Sequence, residues 1–338
     1  MATTAVTAAP ARRTLSLLSV CAPMYNEAEL AEAFYGQVCA ALEGIPFELV
    51  LVDDGSSDAT PEILERLAAQ DPRVKVVYLS RNFGHQTAIT AALDHARGDA
   101  IVMIDADLQD PPEVIGELLE RWKQGSDVVY AVRTVRAGET RFKLLTAKLF
   151  YSVMGKLASI ELQEQAGDFR LMDRRALDAL LSMRERSRYL RGMTVWVGFQ
   201  QTAVEYERDA RYAGETKYTL TKMVRFSLDA IASFSHLPLQ LATLLGFVIS
   251  TFAFLCVPVV IGLKLFGEYL PGFSSIMIAI LLLGGIQLIT VGVVGEYVGR
   301  IYDEVKQRPL YLVRDRRNLV APERDVAEDP DRERVPTA

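Results

Sequence analysis

Ala100-Ile101-Val102-Met103-Ile104-Asp105-Ala106-Asp107-Leu108-Gln109-Asp110-Pro111-Pro112 is the stretch on which the fold turns. Ala100–Ile104 is a short apolar run of strand length that ends on two carboxylates one residue apart. A helix over Pro112–Lys123 follows it. The same figure repeats on both sides. Thr14–Ala22 reads as a strand, and Asn26 can cap a helix over Glu27–Leu42. Phe47–Val52 is a strand ending at Asp53-Asp54-Gly55, and Thr60-Pro61-Glu62 reads as an N-cap with proline at the first helical position. Val74–Leu79 is a strand, Gln86–Ala96 a helix and Asp127–Val132 a further strand. Short apolar strands alternating with helices predict an α/β domain of βαβ units with a parallel sheet. Ligands of such sheets sit at the carboxyl ends of the strands, and every acidic cluster of this region falls at such an end.

The whole chain of 338 residues is 50% hydrophobic and 24% charged, with mean hydropathy +0.14, which supports a packed core and excludes wholesale disorder. Cys21, Cys39 and Cys256 are too few and too scattered for a disulfide framework. His85, His95 and His236 have no zinc-ligand spacing. The net charge of −6 is uneven: residues 1–132 carry 9 basic and 20 acidic side chains, residues 133–225 carry 18 and 11. That pattern does not suggest nucleic-acid binding. It places something in the middle of the chain that meets phosphate or an anionic membrane surface.

Two runs, Leu237–Leu263 and Tyr269–Gly295, have 27 residues each and no charge. Each is about 40 Å long as helix, enough to span a hydrocarbon core with some tilt; a pair of buried core helices is the alternative. The link Lys264–Gly272 is short, so a hairpin is expected, at about 237–263 and 271–297 within 236–300. Lys217, Lys222 and Arg225 precede it, and Arg300, Lys306, Arg308, Arg314, Arg316 and Arg317 follow it. The positive-inside rule then places both termini in the cytoplasm, with the chain multi-pass in the inner (plasma) membrane. The remaining divisions are a flexible 1–13 without a signal-peptide stretch, a cytoplasmic catalytic domain at 14–218, an interface helix at 219–235 and a cytoplasmic tail at 301–338, disordered from about 321. Glu139–Ile160 and Lys222–Ser235 read as basic amphipathic helices, on the membrane surface or facing a core.

Asp105 and Asp107 can face one divalent cation; hard oxygen ligands completed by substrate phosphates suit Mg2+ or Mn2+. The ion would neutralise a diphosphate leaving group. A solvated acidic loop is the bland alternative. Asp53-Asp54-Gly55-Ser56-Ser57-Asp58 offers carboxylates to a nucleoside and a glycine for close backbone approach, or it is a turn with a helix cap. Pro23-Met24-Tyr25-Asn26-Glu27 sets a tyrosine where it can border a nucleoside. Arg211 and Lys217, on a glycine-containing loop, can clamp a diphosphate or touch lipid head groups. Gly167-Asp168-Phe169-Arg170 sets a carboxylate with a guanidinium, which a salt bridge would also explain.

In order and spacing, six segments together resemble inverting glycosyltransferases of the GT-A fold, family 2, in their polyprenyl-phosphate branch. That branch includes bactoprenol (undecaprenyl-phosphate) glucosyltransferases and dolichyl-phosphate mannose synthases. The segments are Ala22–Glu27, Val52–Asp58, Ser80–Gln86, Asp105–Glu113, Gly167–Met172 and Gly214–Tyr218. The resemblance spans about Leu15 to Arg308 and implies the following roles. Pro23, Tyr25, Glu27 and Asp54 hold the nucleoside. Asp105 and Asp107 bind the metal, with Gln109 near metal and sugar. Arg211 and Lys217 hold the diphosphate, while Asp168 and Arg170 line the catalytic site. Arg133 meets the lipid phosphate, with Arg141 or Lys148 assisting. It also implies a homotetramer, to which Gly295 and Gly299 would contribute helix packing.

The function expected is transfer of one sugar, with inversion, from a nucleotide sugar (UDP-glucose favoured) to undecaprenyl phosphate. GDP-mannose, UDP-GlcNAc or a modified pentose are alternative donors. No Gln-X-X-Arg-Trp string of processive relatives occurs, which favours single transfer. A membrane-anchored, non-catalytic sugar-nucleotide-binding protein and a nucleotidyltransferase are the rival readings.

Overall fold

A computed structural model describes residues 13–133, 166–207 and 272–319, with a helical stretch at 242–249 and further helical positions between 239 and 258. The first strands are β1 (Leu18–Met24), β2 (Phe47–Asp53), β3 (Val74–Leu79) and β4 (Ala100–Met103), with helices α1 (Ala31–Ala41), α2 (Thr60–Gln70) and α3 (His85–His95) between them. A 3-10 turn at Pro112–Val114 and helix α4 (Ile115–Lys123) lead to β5 (Val128–Arg133). Then come β6 (Ala166–Asp173), α5 (Arg174–Ser182), α6 (Leu190–Trp196), β7 (Gln201–Tyr206), the long α7 (Phe273–Val305) and β8 (Val313–Arg317).

All seven residues of β1 and of β2 are buried, as expected of central strands covered on both faces. Side chains alternate across the sheet. Leu49 and Leu51 enter one core with Phe34, Leu64, Leu118 and Trp122; Val50 and Val52 enter the other with Ile89, Leu93, Leu177 and Met193. The sheet order is β7-β5-β6-β4-β1-β2-β3-β8. The run β3-β2-β1-β4 is parallel. The expectation of a wholly parallel sheet is corrected beyond it. β6 lies antiparallel between β4 and β5, and β8 lies antiparallel on β3. β6 gave no strand signal because Asp168 and Arg170 interrupt its apolar residues; Phe169 and Leu171 nevertheless point into the core.

Three further expectations need correction. Helix α1 starts at Ala31, not Glu27, and Asn26 does not cap it. Asn26 has φ +55° and its side-chain oxygen accepts the Ser57 N–H at 2.8 Å, so the residue stitches two loops together. The helix assigned to Pro112–Lys123 opens with the 3-10 turn. The tail after the apolar runs is no mere tail: α7 continues to Val305 and the chain then returns as the eighth strand. There Ser80 N–H bonds the Leu312 carbonyl at 2.9 Å, and the Asn318 amide reaches the carbonyls of Ala68 and Val74.

Among the described residues no helix is long and apolar enough to cross a membrane. The first charge-free run is described only in part, chiefly as a helical stretch at 242–249. Most of the second lies on the 33-residue α7, which leaves Ile276, Ile280, Leu288, Ile289, Val291 and Val298 exposed. The far end of α7 is fastened to the domain. Glu304 Oε1 accepts the Arg186 N–H at 2.7 Å, and Arg186 donates to the Arg308 carbonyl.

Candidate active site

Three loops meet at the carboxyl ends of β1, β2 and β4. After β1, Asn26 N–H donates to Ser56 Oγ at 3.0 Å and Glu27 N–H to Thr60 Oγ1 at 2.9 Å, tying that loop to the one after β2. Pro23 is buried in β1, Glu27 is half-buried and Tyr25 stands exposed at the rim. Asp54, buried, accepts the N–H groups of Phe83 (2.7 Å) and Gly84 (2.9 Å), one on each carboxylate oxygen. It thereby fixes the turn into α3. Gly55 has φ +70°, and a Cβ there would lie 2.5 Å from the Arg81 carbonyl carbon, so glycine is required for that loop to pass.

The β4 loop carries Asp105 and Asp107, both half-buried. Asp107 Oδ1 accepts the Gln109 N–H at 3.1 Å around Leu108, whose φ is +56°. A left-handed leucine is the strained backbone that functional loops tend to store. Asp110, next along, is turned into the protein. It accepts the Tyr206 hydroxyl, and Arg133 Nη2 stands 3.7 Å from its other oxygen. Arg133 Nε also donates to Tyr206 Oη at 3.2 Å. A Cβ on Gly167 would meet Arg133 Nη2 at 2.8 Å, so the tip of this guanidinium lies against Gly167.

Asp168 is 6% exposed and faces the β4 loop from β6. Its partner is Arg191 of α6, not Arg170: Nε donates to Oδ1 at 2.7 Å and Nη2 to Oδ2 at 3.1 Å. Arg170 is buried and donates to the Gly167 carbonyl at 2.9 Å. His85, the first residue of α3, bridges the two acids, with Nε2 3.5 Å from Asp105 Oδ1 and 3.7 Å from Asp168 Oδ2.

Burial pushes the Asp105 carboxyl up to about 6, against the opposing pull of His85. Burial would also raise Asp168, but the neighbouring His85 and Arg191 outweigh it and hold that carboxyl well below the usual range. Burial disfavours the His85 cation; the two carboxylates prevail and raise its pKa. Burial lowers Arg170 to about 10. The site is thus a chain of alternating charge, Asp105–His85–Asp168–Arg191, with one acid strongly compensated and the other weakly.

Asp105 Oδ1 is buried without a hydrogen-bond partner. A carboxylate oxygen left so beside a second carboxylate two residues on fits a hard divalent cation. Among the described residues no group of three or more His, Cys, Asp or Glu side chains is placed to hold a metal ion. The donor set therefore fits an ion whose shell is completed by substrate phosphate and water, as magnesium and manganese commonly are.

The family model for glycosyl transferase family 2 matches residues 19–181, which takes in β1, the Asp105/Asp107 loop and Asp168. An uncharacterised glycosyltransferase of Bacillus subtilis, YkcC, is 50% identical over 298 residues, covering 87% of this chain and 92% of its own length. The chain belongs to glycosyl transferase family 2. It is a glycosyltransferase built on an α/β fold with a mixed sheet. Two further relatives of the family are 42% identical over 300 residues and 88% of this chain. They are the SfII prophage-derived bactoprenol glucosyl transferase of Shigella flexneri, covered over 97% of its length, and the prophage bactoprenol glucosyl transferase homolog of Escherichia coli K12, covered over 98%.

Of the residues expected at the site, Pro23, Tyr25, Glu27, Asp54, Asp105, Asp107 and Gln109 lie at or after the carboxyl ends of β1, β2 and β4, and Asp168 and Arg170 lie within β6. Gln109 is buried, and Arg133 lies against Gly167. Arg141, Lys148, Arg211 and Lys217 lie outside the described residues. Sequence reasoning gave no role to His85, although it stands in the quoted Ser80–Gln86 segment, and did not notice Arg191. His85 could have been found as the first residue of a helix following a strand end. Nothing local marks Arg191, since only the tertiary fold brings it to Asp168.

Proposed function

We propose that this glycosyltransferase moves one sugar, glucose first among the candidates, from a UDP-sugar to undecaprenyl phosphate at the cytoplasmic membrane face, with inversion at C1. The observation that carries the reading is the buried Asp105 oxygen that accepts no hydrogen bond, beside Asp107 at the end of β4. The kinship with bactoprenol glucosyl transferases supports the lipid acceptor.

Asp105 and Asp107 would hold Mg2+ or Mn2+, with Gln109 close by. When bound, the ion supplies Lewis-acid neutralisation of the departing diphosphate. Tyr25, Glu27 and Pro23 would border the nucleoside. Asp54, with both oxygens engaged, would contribute chiefly by holding the Phe83–Gly84 turn. Arg211 and Lys217 would clamp the diphosphate, and Asp168 with Arg170 would line the sugar site. Arg133 would receive the acceptor phosphate, with Arg141 or Lys148 assisting. A phosphate monoester is largely dianionic at neutral pH, so the acceptor is already a nucleophile and needs no strong base. Asp168, held far down the pH scale, would serve as a fixed negative hydrogen-bond acceptor rather than as a proton acceptor. Positioning and charge neutralisation at both phosphates would supply the rate.

The same reading takes 237–263 and 271–297 as a membrane hairpin with both termini cytoplasmic, in an inner-membrane homotetramer. The exposed apolar side chains of α7 support a place for this helix in the membrane, and the bond of its charged end to Arg186 keeps that end at the catalytic domain. The test is a panel of labelled UDP-glucose, UDP-GlcNAc, GDP-mannose and a UDP-pentose, incubated with the full chain and undecaprenyl phosphate with either metal. A lipid-linked sugar with release of nucleoside diphosphate is expected, strongest with UDP-glucose. Release of pyrophosphate, or no lipid product from any donor, would overturn the reading.

A further inference from the structure

We propose that Arg191 is a positioning residue for transfer, acting through Asp168. The inference rests on the proposed role of Asp168 in lining the donor site. Asp168 projects from β6 toward His85, on whose other side stands a second carboxylate, Asp105, and the negative charge of each disfavours that of the other. Its two oxygens are taken by one planar guanidinium, at 2.7 and 3.1 Å. A two-point pair of this kind fixes the rotation of the carboxylate as well as its charge. The segment that carries the guanidinium is itself held. Leu190 N–H, at the start of α6, donates to the Gln86 side-chain oxygen at 3.0 Å, which docks α6 on the first turn of α3, one residue from His85. Five residues before Arg191, Arg186 is bonded to α7. Arg191 is thus placed from two sides, and the orientation of Asp168 follows from it. Without that guanidinium, Asp168 would be a buried anion facing another, free to turn toward His85 or to take a proton. Either change displaces the wall of the sugar site by a fraction of an ångström, and misplacement on this scale slows a positioned reaction severely.

The experiment uses the full chain in membranes. It measures kcat and the KM of both substrates for wild type, Arg191→Met, Arg191→Lys, Asp168→Asn and the Arg191→Met/Asp168→Asn double variant, with nucleoside diphosphate release followed with and without acceptor. Arg191→Met is expected to lower kcat about 100-fold while both KM values stay within about threefold. Arg191→Lys, which keeps the charge but loses the fork, should recover part of the loss. In the Asp168→Asn background the second substitution should add less than about threefold, because the two residues act as one unit. Wild-type kcat in Arg191→Met, or losses that multiply in the double variant, would overturn the role. If Arg191→Met does not fold, Arg191→Lys carries the test, and an unchanged kcat there overturns the role equally. If wild type makes no lipid-linked sugar, the acceptor reading falls by itself. Arg191 is then judged on the slower release of nucleoside diphosphate to water, which Arg191→Met must still reduce.

Discussion

Asp105 Oδ1 lies 3.5 Å from His85 Nε2 and accepts no hydrogen bond. A buried anion so weakly compensated costs the folded chain free energy, which a bound cation would recover. Asp107→Ala and Asp105→Asn are therefore each expected to reduce sugar transfer by about 1,000-fold or more, the scale of losing charge stabilisation at the leaving group, while the chain still partitions to membranes. Asp105→Asn should at the same time raise the melting temperature of the metal-free protein. Undiminished transfer in Asp107→Ala would remove the metal role.

The pH dependence has a definite sign. Burial lifts Asp105 from an ordinary value of 3.8 to about 6. Between those values the folded chain holds a proton that the unfolded chain has released, so this group's contribution to stability falls as pH rises from about 4 to 6 and is level above. A cation needs the ionised form, so its binding strengthens across the same window. The gain in melting temperature from saturating Mn2+ with UDP should be small at about pH 5 and larger at about pH 7.5. Asp105→Asn should abolish the difference, and a gain independent of pH would contradict the assignment.

Gly167→Ala offers a test of Arg133 that spares the fold. The added methyl would sit 2.8 Å from Arg133 Nη2, the far end of a flexible side chain that can move aside. Stability should change by no more than about 0.5 kcal/mol. The KM for undecaprenyl phosphate should rise about tenfold, equivalent to about 1.4 kcal/mol, with the donor KM unchanged. An unaltered acceptor KM would mean that Arg133 does not meet the lipid phosphate.

Gly55→Ala should behave in the opposite way. Its methyl would meet backbone, 2.5 Å from the Arg81 carbonyl carbon and 2.7 Å from Asn82 N, at φ +70°. A loss of about 3 kcal/mol or more in unfolding free energy is expected, by strain and overpacking together. Asp54→Asn should cost about 1–3 kcal/mol, because the amide nitrogen faces one of two buried N–H donors. If Asp54→Asn instead leaves stability intact and raises the donor KM alone, its main task is to grip the nucleoside.

The strands β1 to β4 were legible because each is a short, largely apolar run, broken only by Glu48 in β2 and Lys75 in β3, and β1, β2 and β4 run into acidic turns; that pattern is local. The Asp105/Asp107 pair was legible for the same reason. β6 and β8 were not. Asp168 and Arg170 lie within β6, and Arg314, Asp315, Arg316 and Arg317 fill most of β8, so neither shows an apolar pattern. They are strands because neighbouring edges supply hydrogen bonds, which no window of sequence contains. His85 and Arg191 illustrate the same limit within the site. They stand 106 positions apart in the chain and meet at one carboxylate, Asp168, brought to them by a third element. The misplaced start of α1 has a tertiary cause as well: Asn26 accepts the Ser57 N–H from the next loop and is drawn out of the helix it would have capped.

The return of the chain to β3 after α7 makes the catalytic half and the carboxyl-terminal segment inseparable without unfolding. Val76–Leu79 pairs with Val313–Arg317, Tyr311 donates to Asp94, and Arg317 reaches Glu65. A protease that nicked the polypeptide once between residues 207 and 272 would leave two fragments that still elute as one particle. A version shortened to end before α7 would bare the β3 edge and invite sticking to other open strands.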